Sequence, residues 1–174
     1  MEGKWLTVPV VNKGITTTSI KDIEIADLRM LRVISDKIRN YAIGKMYGYR
    51  LDGVCRILNE HNNKYLHDLN DKLQAEIIRV IGMPIKVINN FDVPHETDSK
   101  TRRIFVRLEK YGFNEGSYLI AKGTATYFKT EEAPISFRIY KQRLVEDISP
   151  DSIVQLIATE TQPLEVIKRV ATWD

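Results

Sequence analysis

Cysteine is almost absent. The lone Cys55 leaves no intramolecular disulfide, so the fold must hold by packing, and one thiol points to a reducing compartment such as the cytoplasm. No apolar run approaches the roughly 20 residues that a membrane-crossing helix needs, and the first residues carry no signal-peptide core. The expectation is a protein neither secreted nor integral to a membrane. The nine glycines are scattered, and none stands in a Walker or dinucleotide spacing, which removes the common phosphate-cradling loops. Neither sign of charge dominates: the net value is only +3, too little to argue for nucleic acid or lipid by itself. Internal repeats and low-complexity tracts are missing too.

What remains is an ordinary soluble composition, 43% hydrophobic and 28% charged, in a length of 174 residues that suits one domain spanning residues 1–174. Residues 101–145 look like its framework. Ile104, Val106 and Leu108 alternate with Arg103, Phe105 and Arg107, the period of a half-buried strand. Residues 117–128 and then Ile135, Phe137 and Ile139 continue the theme, separated by glycine- and proline-containing connectors. The expectation is a three-stranded antiparallel meander whose apolar face is Ile104, Val106, Leu108, Ile135, Phe137 and Ile139.

The flanks supply its cover. Residues 5–11 read as a leading edge strand, Pro9 being unable to donate to a ladder. From Asp27 the period changes: Leu28, Leu31, Ile34, Ile38 and Tyr41 form a helical stripe ending near Gly44. Leu51, Val54, Cys55 and Leu58 suggest a short second helix. Leu66, Leu69, Leu73, Ile77, Val80 and Ile81 make a third, stopped by Gly82 and Pro84. Ile85, Val87 and Phe91 suggest a strand leading into an acidic loop, residues 92–100. Ser149-Pro150-Asp151 has the form of a helix start, and Leu164, Ile167 and Val170 mark a last helix running to Trp173. The fold class expected is α+β, an antiparallel β-sheet covered by helices with further C-terminal helices.

Chemistry is harder to find. His61 and His67, six apart, project about 120 degrees away from each other on a helix and make poor metal partners. Cys55 sits among Val54 and Leu58 and reads as a buried, inert thiol. Asp92, His95, Glu96 and Asp98 have the residue types for metal binding or acid–base work, but a loop is polar because it is solvated. No catalytic residue, cofactor or metal is expected. Basic residues are more informative. From Arg29 to Arg56, seven cations (Arg29, Arg32, Lys37, Arg39, Lys45, Arg50 and Arg56) stand against Asp36 and Asp52. Lys100, Arg102, Arg103 and Arg107 form a second group at the opening of the meander. The linker between the first two helices adds Met46, Tyr47 and Tyr49 to Lys45 and Arg50, a mixture suited to phosphate backbones or anionic headgroups. It is expected to be an exposed contact loop.

In the order of its elements the chain resembles the matrix proteins of non-segmented negative-strand RNA viruses, and in size those of plant rhabdoviruses of the cytorhabdovirus type. The residues that carry the resemblance are the leading strand 5–11, the basic helix 27–41, and Lys122-Gly123-Thr124 with the hairpin to Tyr140. The family's Pro-Pro-x-Tyr budding motif does not occur. The resemblance implies a non-enzymatic structural protein that self-associates and bridges viral nucleocapsid or RNA to an anionic membrane surface. It implies a place in host cytoplasm and virion, peripheral to membrane, with no small-molecule substrate. The competing expectation is a small ligand-binding enzyme, chorismate-lyase-like or hotdog-like, with a pocket between sheet and helices. The almost wholly apolar face of the expected meander counts against it.

Overall fold

The computed structural model describes residues 6–11, 19–85, 87, 99–120, 128–144 and 153–173. The chain forms two compact units, one from Met1–Val87 with Asp151–Val166, the other from Ile88–Pro150 with Ile167–Asp174.

The first unit is helical. Helix α1 (Arg29–Ala42) buries Leu31, Ile34, Ser35 and Ile38, the face its three- and four-residue spacing predicts. That face packs on α2 (Asp52–Glu60), which returns Val54, Cys55 and Leu58, and on a 3-10 turn (Gly48–Leu51) whose Leu51 is fully buried. The stripe was expected to lie on a sheet; it lies on helices instead. Gly48 lies so close to Ala42 that a Cβ there would collide with the Ala42 carbonyl oxygen. Helix α3 (Leu66–Ile81) packs on α2 and ends as the sequence indicates. Gly82 is left-handed at φ 71, its N–H donates to Arg79 O, and the Met83 N–H donates to Ile78 O.

The leading strand is not formed among the described residues. Residues 6–11 make one antiparallel bridge, Val10 to Ile25, and Glu24 makes another with Tyr65. Pro9, lacking an N–H, contributes its carbonyl to Ala26. Ile85 and Val87 are exposed and outside any strand. A short helix α5 (Ile153–Thr159) completes this unit, with Ile157 and Ala158 buried and the helix against the 3-10 turn. Helix α6 (Pro163–Val170) starts with proline in its first turn, where the missing N–H costs nothing.

The second unit corrects the expected meander. Its first strand is helix α4 (Lys100–Lys110). The alternation of Ile104, Val106 and Leu108 is real, but Thr101, Ile104, Phe105 and Leu108 also repeat at helical spacing. That second pattern is the one packed, with Thr101 and Phe105 buried. Ser99 caps the helix, its Oγ accepting from the Arg102 N–H at 3.2 Å. Phe105, Tyr118, Phe128 and Phe137 then form one aromatic cluster, Phe105 and Phe137 lying 4.9 Å apart between centroids. The sheet is not an antiparallel meander. Strand β1 (Gly116–Ile120) pairs in parallel with β2 (Phe137–Leu144), Gly116 opposite Phe137, and β2 pairs antiparallel with β3 (Ala171–Trp173). A parallel pair cannot be closed by a tight hairpin. Ile135, assigned by the alternation to the buried face, is fully exposed in the turn before β2, and β3 takes the end of the expected last helix. The broad class, α+β, stands, with helices dominating. Residues 92–98 of the acidic loop, Lys122 to Thr124 and the helix start at Ser149 lie outside the described residues, while Ser99 and Lys100 belong to the start of α4.

One buried group has no use in this packing. The His61 side chain is wholly buried after α2, and neither ring nitrogen makes a hydrogen bond; Asp68 Oδ2 is 3.6 Å from Nδ1. Burial, and then the Lys72 charge, push its pKa below the usual 6.5, with Asp68 and then the Asn63 backbone acting the other way.

Two outcomes follow from this core. Leu31→Ala should cost about 2–5 kcal/mol in chemical denaturation, and Arg32→Ala, an exposed position, under about 0.5 kcal/mol. Because the unfolded chain takes a proton on His61 near pH 6.5 and the folded chain resists it, stability should fall as pH drops below 6.5. His61→Gln should flatten that slope above the carboxylate range, measured as Tm against pH.

Candidate functional site

Helix α3 carries a carboxylate in its apolar stripe. Glu76 falls between Leu73 and Val80 on the face turned to α2, and is 8% exposed. It is tolerated there because Gly53 of α2 has no side chain; a Cβ would occupy the place of the carboxylate. Arg79, one turn on, donates Nε and Nη2 to the two Glu76 oxygens, each at 2.7 Å. This two-pronged bond holds the Glu76 carboxyl below its ordinary range against the opposing effect of burial, and the Arg79 and Arg56 charges add to it. Glu76 is therefore a fixed anion with two guanidinium groups near it.

Around this pair lies a groove of about 470 Å³, walled by Tyr49, Arg50, Asp52 and Arg56 on one side and by Arg79 and Val80 on the other. Three arginines face two acids there, a local excess of one positive charge. Arg79 gives two of its five N–H groups to Glu76 and keeps the rest for the groove. Tyr49, 66% exposed, stands at the rim.

The expected contact loop divides in two. Met46 and Tyr49 point to solvent. Tyr47 and Arg50 turn instead to the chain beyond α5. The Tyr47 N–H donates to Ala158 O at 3.0 Å and its hydroxyl meets Thr161 Oγ1 at 3.0 Å. Arg50 lies over the Tyr47 ring, 4.2 Å from the centroid, and donates to Glu160 O at 2.8 Å and Thr161 O at 3.3 Å. Much of its hydrogen-bonding capacity is thus spent inside the unit.

The other predicted cations are not gathered. Arg29 is paired with Asp27 through three contacts of 3.0 Å, one of them from its own N–H. Arg32 and Arg39 are exposed on one side of α1, and Lys37 lies about 140 degrees around the helix from Arg32. Lys45 sits 5.3 Å above the Tyr41 ring. Lys100, Arg102 and Arg103 occupy the first turn of α4, the positive end of its dipole, where cations are disfavoured. Glu132 offsets them. It takes hydrogen bonds from Ser99 and Lys129, and its carboxyl is lowered first by Ser99, with Lys129 and Arg102 assisting. Cys55 is buried, its thiol facing Ser35 O at 3.8 Å. Among the described residues no cluster of His, Cys, Asp and Glu could hold a metal, and no helix is long and apolar enough to cross a membrane.

Sequence reasoning passed over Glu76, Arg79 and Gly53. The available signal was a lone carboxylate inside an apolar stripe with an arginine three residues on.

These features define an α+β chain with an arginine-lined groove on its helical unit. Over residues 1–144 it matches the WbqC-like protein family, and it belongs to that family. No curated protein and no solved structure matches the chain. Membership overturns the matrix-protein resemblance. The bridging of nucleocapsid to membrane and the placement in host cytoplasm and virion fall with it. The physical reason is visible: the leading strand is a single bridge, and the strand opening the supposed sheet is a helix.

Arg50→Ala should loosen residues 153–161, with faster amide exchange there. The expected cost is about 1–2 kcal/mol in overall stability, the scale of charged hydrogen bonds that are partly exposed to water.

Proposed function

We propose that this WbqC-like protein binds a small anionic ligand, carrying a phosphate or carboxylate group, in the groove between α2 and α3, and that it acts by binding and not by covalent chemistry. The observation that carries the reading is the Glu76–Arg79 pair seated on Gly53 beside Arg56. A guanidinium held in place by a buried carboxylate loses little freedom when a second anion arrives, so more of the interaction appears as affinity. Arg32, Lys37 and Arg39 of α1 lack that preparation, which favours a small ligand over an extended polyanion. Among the described residues, Cys55 is buried in the core beside Ser35 and His61 is buried after α2, which gives neither an open path to a substrate.

The test is calorimetric titration of the full chain with inorganic phosphate and with phenyl phosphate, at low and moderate salt. Arg56→Ala is expected to weaken binding about tenfold, the loss of one charge-assisted contact, with melting temperature little changed. Arg79→Ala is expected to weaken it similarly but also to lower the melting temperature, because it leaves the buried Glu76 carboxylate without its partner. Arg32→Ala is the matched control. Unchanged affinity in both groove variants would refute the proposal.

A further inference from the structure

The second unit holds its own groove, independent of the one above. It measures about 410 Å³ and runs along α4 from Arg102 in the first turn to Glu109 in the last. Seven residues of helix separate these charges by about 10 Å. Its floor is the Phe105–Phe137 pair, and Phe113 forms a wall. The position of Phe113 follows from the helix end. Gly112, at φ 80, turns the chain, its N–H donates to Glu109 O, and the Phe113 N–H returns to Leu108 O. Phe113 is thereby left 47% exposed beside Glu109.

The two ends differ in charge. At the Arg102 end, Glu132 already receives Lys129 and Ser99 and feels the Arg102 charge, so that end is close to balanced. At the other end Glu109 lines the groove, whereas Arg107 and Lys110 of the same turn do not. Glu109 also sits at the negative end of the α4 dipole. A carboxylate, a helix C-terminus and the face of an exposed phenyl ring all attract positive charge.

We infer that this groove binds a small organic cation with an apolar body, an alkyl- or arylammonium, its charged head between Glu109 and Phe113 and its body over Phe105 and Phe137. The size of the groove suits a free small molecule. A neutral aromatic would gain only the floor, and an anion would meet Glu109.

The experiment is a chemical-shift titration of the full-length protein with benzyltrimethylammonium, set beside benzyl alcohol and benzenesulfonate as neutral and anionic counterparts. The expected result is saturable binding of the ammonium alone, with shifts centred on residues 109–114. Glu109→Gln should weaken it about threefold, the scale of one exposed cation contact, and Phe113→Ala by a similar factor. Glu109 is exposed, so its variant folds normally, and the melting temperature of each variant checks this. Absence of ammonium binding, equal binding of benzenesulfonate, or an unchanged affinity in Glu109→Gln would each overturn the inference.

Discussion

The first unit depends on how closely α1 and α2 approach at Ser35 and Cys55. Both residues are small and essentially without exposure, and they bond reciprocally: Ser35 Oγ donates to Cys55 O at 3.3 Å, and the thiol faces Ser35 O at 3.8 Å. With two small side chains at the contact, the helices can approach closely, and Leu31, Ile34, Leu51, Val54 and Leu58 are buried in the same core. The polar atoms are satisfied inside the contact, so burying them costs little. The position of α2 fixed there decides where Gly53 and Arg56 stand, and so where α3 brings Glu76 and Arg79.

Helical elements with strong stripes were legible. Helices α1, α2 and α3 lie within a residue or two of where their apolar spacing and terminating glycines place them, because those signals are local. Helix α4 was not, since its eleven residues satisfy two periods at once. The choice between them is made by an aromatic cluster assembled from Phe105, Tyr118, Phe128 and Phe137, residues far apart in sequence. The parallel pairing of β1 with β2 is likewise a tertiary outcome; hairpin-like connectors suggested the opposite sense. The site was legible only in its residue types. That Arg50 spends itself on the carbonyls of Glu160 and Thr161 follows from contacts across 110 positions, which no local pattern encodes.

Charge in this protein is better understood by what anchors it than by how much there is. The loosest cations, Arg32, Lys37 and Arg39 on α1, were conspicuous in sequence. Of those held in place, Arg50, bound to main-chain carbonyls, stood out there too, whereas Arg79, held by Glu76, did not. An anchored guanidinium offers a fixed geometry to a ligand, and a solvated one offers mainly an average field.

The docking of α5 onto the 3-10 turn has a kinetic side. Tyr47 and Ala158 are joined by a main-chain hydrogen bond, so the first unit is closed by chain made long after its helices α1 to α3. At a synthesis rate of roughly 5–20 residues per second, several seconds pass between the emergence of α3 and that of α5. During that interval Leu51 and its neighbours lack their final cover, and the larger part of the second unit, Ile88–Pro150, is being made. The order of manufacture thus inverts the order of space: the piece that seals the first unit is delivered nearly last.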